Sequence, residues 1–208
     1  NVTATAKYTV KSDNTLDIEF GATTDKETVV NMTNHSYFNL NGDPSKEGFD
    51  QIMYINADKF TPVDHTLIPT GILQEVGGTP MDFRHPTAIG KRVNDLFEQL
   101  SFGHGYDHNW VLNRKTSDKP ELAATVYEPT SGRFLEVWTT EPRLQFYGGN
   151  FFDGTMTGKH GKRYNYRASL ALETQHYPDS PNQPAFPSTN LHPGDTYKHI
   201  CIYKINVQ

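Results

Sequence analysis

Glu173 is the residue from which chemistry in this chain is best approached. It stands in Leu170-Ala171-Leu172-Glu173-Thr174-Gln175-His176-Tyr177-Pro178-Asp179-Ser180-Pro181-Asn182-Gln183-Pro184, whose first half reads as a strand and whose second half cannot continue one. Pro178, Pro181 and Pro184 remove ladder donors, and the Asp, Ser and Asn among them favour turns. A carboxylate is therefore placed where a strand ends. Alternation puts Leu170, Leu172 and Thr174 on one face and Ala171, Glu173 and Gln175 on the other, so the acid shares its face with an amide. Such a pair suits the neutral hydroxyls of a carbohydrate.

Three other stretches set polar residues beside aromatic ones: Thr33-Asn34-His35-Ser36-Tyr37-Phe38-Asn39-Leu40, Gly105-Tyr106-Asp107-His108 and Gln145-Phe146-Tyr147-Gly148-Gly149-Asn150. Taken with the Glu173 stretch, and in this order, they resemble the aldose 1-epimerase (galactose mutarotase) family over nearly the whole chain. The resemblance implies an all-β fold, the β-supersandwich of the galactose mutarotase-like fold, with antiparallel strands, one short helix and a concave sugar-binding face. It implies that Glu173 is a general base and His35 a general acid, exchanging roles when the sugar ring recloses, and that Asp107 and Gln145 hold sugar hydroxyls. The expected partner is a free aldohexose such as galactose or glucose. No cofactor and no metal are expected. The family's N-terminal part, which supplies an arginine and a second histidine to the sugar site, has no counterpart in these residues. Residues 1–208 are thus expected to form one domain, the C-terminal portion of the family's sandwich, with the N-terminal strands missing and counted as a further partner.

Interconverting anomers means opening the hemiacetal, turning about C1–C2 and closing on the other face. The step needs a base at the C1 hydroxyl and an acid at the ring oxygen, and no metal, nucleotide or electron carrier. That matches a sequence without a phosphate loop, a dinucleotide fingerprint or a zinc motif. A free Glu titrates near roughly 4.3 and a free His near roughly 6.5, so Glu173 is expected to be anionic at neutral pH, with nearby carboxylates favouring protonated His35.

In isolation each residue has a plainer reading. Glu173 would be a solvated strand-end carboxylate, His35 a hydrogen-bonding loop histidine and Asp107 a turn residue, and it is the motif context that reverses this. Tyr37, Phe38 and Phe146 are candidates for an apolar wall against the sugar, with core packing the favoured alternative. His104 and His108 are four apart, but Gly103, Gly105 and Asp107 deny them a helix and so a zinc scaffold. His176 is expected to be structural, and Asp82 with Arg84 to form a loop-pinning ion pair. Two rivals remain. One is a relative acting on hexose 6-phosphates, for which the arginines show no local cluster; the other is a non-catalytic carbohydrate-binding β-sandwich, which would not need both Glu173 and His35.

The elements that must position these residues are strands. Val2 to Val10 and Leu16 to Ala22, with Ser12-Asp13-Asn14 between them, read as a hairpin. Thr28 to Asn34 reads as a third strand delivering His35, and Gln51 to Asn56 as a fourth. A long irregular passage rich in Gly and Pro follows. Ile89, Val93, Leu96, Phe97 and Leu100 recur at helical spacing and predict a helix from about Thr87 to Leu100. Strands are then expected at Asn109 to Leu112, Leu122 to Tyr127, Phe134 to Thr139, Leu144 to Tyr147, Arg167 to Thr174 and Tyr197 to Val207, an antiparallel sandwich or barrel.

At 208 residues the chain is long enough to bury a core. A net charge of -5 and a pI near 6.0 argue against nucleic acid or an anionic membrane as partner. The single cysteine, Cys201, lies in an apolar run and is read as buried and inert, which excludes a disulfide within the chain. No apolar run approaches membrane-spanning length. A cytoplasmic setting is expected, with a periplasmic or secreted one as the alternative.

Overall fold

Alternating apolar residues along short strands build two antiparallel sheets, and the computed structural model describes every residue from 1 to 208. The first sheet has seven strands in the order Val2–Val10, Thr15–Thr24, Tyr197–Val207, Arg133–Thr139, Glu121–Tyr127, Ile52–Ile55 and Thr87–Ala88. The second has six, in the order Tyr37–Phe38, Leu170–Gln175, Arg143–Tyr147, Asp107–Leu112, Ala57–Thr61 and Gln74–Glu75. A small pair, Asn190–Leu191 with Thr28–Val29, stands apart.

One core lies between the sheets. Ile18, Phe20, Val126, Leu135, Val137 and Tyr203 meet Phe60, Trp110, Leu144, Phe146, Leu170 and Leu172 there, all buried. Trp110 sits among Phe60, Phe83, Tyr106 and Phe146, and its indole N–H donates to the Met81 carbonyl at 3.0 Å. Because Leu144 and Phe146 point into this core, strand alternation turns Gln145 to the opposite face of the six-stranded sheet. Trp110 and Leu172 do the same for Asn109 and Glu173. The functional face is thus the outer face of the sheet whose inner face carries the aromatic core.

The two sheets are also tied by a polar link. The Tyr203 hydroxyl donates to the Leu172 carbonyl at 2.7 Å, inside the core and next to Glu173. Tyr203→Phe is expected to cost about 1 kcal/mol, the net worth of one buried hydrogen bond. A lower urea midpoint at unchanged slope would show it.

Three expectations about the elements need correction. The helix predicted from Thr87 to Leu100 does not form: Thr87–Ala88 is a strand, Ile89–Lys91 a single 3-10 turn, and the one α-helix runs Glu98–Gly103. The start of the segment pairs with another strand instead: Thr87 and Ala88 lie opposite Met53 and Ile52, and Ile89 N–H to Gln51 O and Gly90 N–H to Phe49 O carry that contact on. Ile89, Val93 and Leu100 are buried as the spacing suggested, while Leu96 is fully exposed. The third strand shrinks to Thr28–Val29, and residues 30–36 carry no regular structure. The Glu173 strand begins at Leu170 rather than Arg167, which sits at a φ of 56° that no strand accommodates.

Candidate active site

Strand register assembles the site. On the outer face Glu173 lies opposite Gln145, Gln145 opposite Asn109, and Asn109 opposite Thr61. At about 4.8 Å between neighbouring strands, these side chains form one continuous polar row. Asp107 joins it from the next pair along, opposite Tyr147. Glycine shapes the turn into that strand. Gly105 holds a φ of 136°, and a Cβ there would meet Asn150 Oδ1 at 2.5 Å, while the Asn150 amide donates to the carbonyls of Gly103 and Tyr106. The Gly105-Tyr106-Asp107 and Gly149-Asn150 stretches are therefore held side by side.

His35 reaches this row from the irregular segment before Tyr37. Its Nε2 is 3.2 Å from Glu173 Oε1, and its ring leans on Tyr37 with centroids 4.8 Å apart. The His35 side chain is 45% exposed and that of Glu173 only 10%, so the pair has one partner open to incoming ligand and one withdrawn from water. Burial pushes the Glu173 carboxyl up from the usual 4.5 to about 7; His35 opposes the rise and Asp107 adds to it. The sequence-based expectation of a fully anionic Glu173 at neutral pH is thereby corrected, because it assumed a solvated group.

Asp107 is half-buried and accepts a 2.8 Å hydrogen bond from Gln145 Nε2. Burial raises its carboxyl above the usual range, while that hydrogen bond and the charge of His35 pull it down. Its neighbour in the row, Asn109, is 1% exposed, and neither atom of its amide has a protein partner. Sequence reasoning passed over Asn109, although alternation from Asp107 places it on the same face.

These residues surround a cavity of about 420 Å³ lined mostly by polar side chains. That size fits a small ligand, and the polar lining fits one carrying many hydroxyls. His35, Asp107, Gln145 and Glu173, all four residues singled out from the sequence, line it together. Core packing, the favoured reading of the three aromatic candidates, holds for two of them. Phe146 is wholly in the core and Phe38 packs on Tyr203. Of the three candidates only Tyr37 stands at the site, beside His35. The apolar walls are instead Tyr147 with Phe151, and Val63, Leu67 and Pro69 from the loop opposite. Gln183 clips the two sides together, donating to the Pro69 carbonyl at 2.9 Å.

The remaining candidates fall outside the cavity's chemistry. His108 is fully buried against Phe60 and Trp110, and burial drives its imidazole down to about 3. His104 caps the short helix instead of facing His108 across a turn, and no group of three or more His, Cys, Asp or Glu side chains is arranged to hold a metal ion. His176 pairs with the buried Glu141 at 2.6 Å, and Arg84 with Asp82 at 2.8 Å. Cys201 is buried. No helix is long and apolar enough to cross a membrane.

Comparison with known proteins gives this geometry its context. The family model described as aldose 1-epimerase matches residues 1–204. Mouse galactose mutarotase is 46% identical over 192 residues, covering 92% of this chain and 54% of its own. Aldose 1-epimerase of Escherichia coli strain K12 is 39% identical over 206 residues, covering 98% of this chain and 58% of its own. Among solved structures, a GalM/aldose epimerase homologue from C. elegans superposes with a TM-score of 0.87 at 31% identity, over 99% of this chain and 60% of that one. Galactose 1-epimerase from Lactobacillus acidophilus superposes with a TM-score of 0.82 at 29% identity. The chain spans about half the length of the curated relatives it matches.

Proposed function

The chain belongs to the aldose 1-epimerase family and has its galactose mutarotase-like fold, and on that footing we propose that it interconverts the α and β anomers of free aldohexoses such as galactose and glucose. The observation that carries this reading is the 3.2 Å approach of His35 to Glu173 at the edge of a polar cavity roomy enough for a hexose. Glu173 takes the proton of the C1 hydroxyl while His35 gives one to the ring oxygen. The C1–O5 bond breaks, leaving the open-chain aldehyde. After rotation about C1–C2 the two groups reverse roles, His35 taking back the proton as the ring closes on the other face of C1. A base that titrates near 7 serves both directions, since neither protonation state is far out of reach at neutral pH.

Asp107, Gln145 and Asn109 orient the pyranose without moving protons. The carboxylate accepts from neighbouring hydroxyls, and the amides both donate and accept. Gln145→Leu is expected to raise KM about tenfold with a smaller change in kcat, because it removes one charged hydrogen bond along with a direct contact. Initial-rate polarimetry over a range of sugar concentrations separates the two constants.

No Lys or Arg lines the cavity, so nothing in these residues offsets the charge of a phosphorylated sugar, and Glu173 and Asp107 repel it. A binding module would have no use for an acid and a base in contact. Buried, unpaired Cys201 suits the reducing cytoplasm, the setting we favour. The direct test is polarimetry of freshly dissolved α-D-galactose at neutral pH. Faster decay of rotation than in buffer alone supports the proposal, and folded protein that leaves the buffer rate unchanged overturns it.

A further inference from the structure

We infer that buried Glu141 is a positioning residue that holds the His35 segment and the Glu173 strand in a fixed relation, acting through Tyr197 and His176. The inference rests on the catalytic reading of His35 and Glu173, and it begins from a gap in the backbone ladder.

Residues 31–35 make no backbone-to-backbone hydrogen bond and belong to no strand. A general acid carried on such a segment needs some other constraint, since a displacement of about 1 Å can cost about a hundredfold in rate. Two anchors supply it. The Asn31 side chain accepts from the His176 N–H at 3.0 Å and donates to the His176 carbonyl at 3.4 Å. The Met32 N–H donates to the Tyr197 hydroxyl at 3.0 Å. One anchor is therefore the residue at which the Glu173 strand gives out, and the other is a side chain of the opposite sheet.

Both anchors converge on one carboxylate. Glu141 is 0% exposed. Its Oε2 lies 2.6 Å from His176 Nδ1 and its Oε1 lies 2.8 Å from His199 Nδ1. The Tyr197 hydroxyl, having accepted from Met32, donates to Glu141 Oε1 at 3.3 Å. His199 in turn is wedged edge-on against core residue Phe20, with centroids 4.7 Å apart. Burial works against the charge of Glu141, yet the imidazoles of His176 and His199 hold its carboxyl below the usual range. A buried charge with partners on three sides is a rigid hub, because moving any one partner leaves polar groups unpaired in a dry interior. Asn31 and Met32 hang from that hub just ahead of His35.

The test uses the full chain with Tyr197→Phe, which deletes only the hydroxyl joining Met32 to Glu141. Polarimetry is expected to show kcat lowered about tenfold with KM changed less than about twofold, since misplaced acid affects the transition state more than sugar binding. Amide hydrogen exchange in peptides covering residues 31–35 is expected to quicken. Glu141→Gln, which keeps the side-chain shape but removes the charge that gathers His176, His199 and Tyr197, is expected to lower kcat by a comparable factor with KM again little changed. A Tyr197→Phe protein whose kcat, or whose exchange over 31–35, remains at the wild-type level overturns the inference. So does a loss confined to KM, or a Glu141→Gln protein whose kcat stays at the wild-type level. Should the wild-type chain fail to accelerate mutarotation, the functional reading falls, and the exchange measurement alone then decides whether Glu141 orders this segment.

Discussion

Glu173→Gln is expected to slow anomer equilibration by about a thousandfold, the usual scale for deleting a general base, while leaving the sugar bound. Gln keeps the shape and the hydrogen-bonding oxygen but cannot accept the C1 hydroxyl proton. The same substitution is expected to make the folded chain more stable near neutral pH and above. Glu173 is buried, and its carboxyl titrates near 7 in place of the usual 4.5, so the folded state holds the proton more tightly than the unfolded state does. Below about pH 4.5 both states are protonated and the carboxylate carries no penalty. Between there and 7 the penalty grows, and above 7 it is complete, at roughly 3 kcal/mol by linkage from that shift. The stabilisation by Gln should follow the same course, appearing as pH rises and vanishing in acid. Urea melts of both proteins at pH values on either side of 7, beside polarimetry, test the two halves together. A variant that retained activity would remove Glu173 from the chemistry, and one less stable than wild type at high pH would contradict its buried-base environment.

The second large effect is on the pH profile. Because kcat/KM reports the titration of the free enzyme's essential base, it should fall about tenfold per pH unit below the Glu173 midpoint, reaching about a hundredfold loss two units down. The midpoint should lie near 7. Burial sets most of that rise, so it should survive substitutions around the cavity, but the smaller contributions have definite signs. His35 stabilises the carboxylate, and His35→Asn should move the remaining activity's midpoint upward. Asp107 opposes ionisation, and Asp107→Asn should move it toward acid. Initial rates corrected for the spontaneous reaction at each pH would give these midpoints. A profile flat down to about pH 5, as for a solvated carboxylate near roughly 4.3, would exclude a desolvated base.

Positioning and reactivity are in tension at this site. The outer face of the six-stranded sheet is held by the aromatic core beneath it, and Tyr203 ties Leu172 to the facing sheet. That rigidity is what lets Glu173 remain desolvated without closing the cavity. His35 has no such sheet beneath it and hangs on side-chain anchors, the positioning role proposed for Tyr197 and Glu141.

The sequence by itself determined which residues share a face. Alternation about Leu172 is a local property of the strand, and it put Glu173 on the face opposite Leu170, Leu172 and Thr174 before any register was known, while Asp107 and Gln145 were picked out by motif resemblance. Prolines after Tyr177 likewise ended the Glu173 strand by local chemistry. What tertiary structure decided depends on partners remote in the chain. The helical spacing of Ile89, Val93 and Leu100 correctly marked buried positions, but the start of that segment pairs as an edge strand with Ile52 and Met53, remote in the chain. The contact between His35 and Glu173, the unpartnered amide of Asn109 and the hub at Glu141 arise from cross-strand register and burial, and no local pattern encodes either. Above all, the rise of the Glu173 carboxyl from the ordinary acid range to near neutrality follows from its removal from water, which only the assembled sandwich brings about.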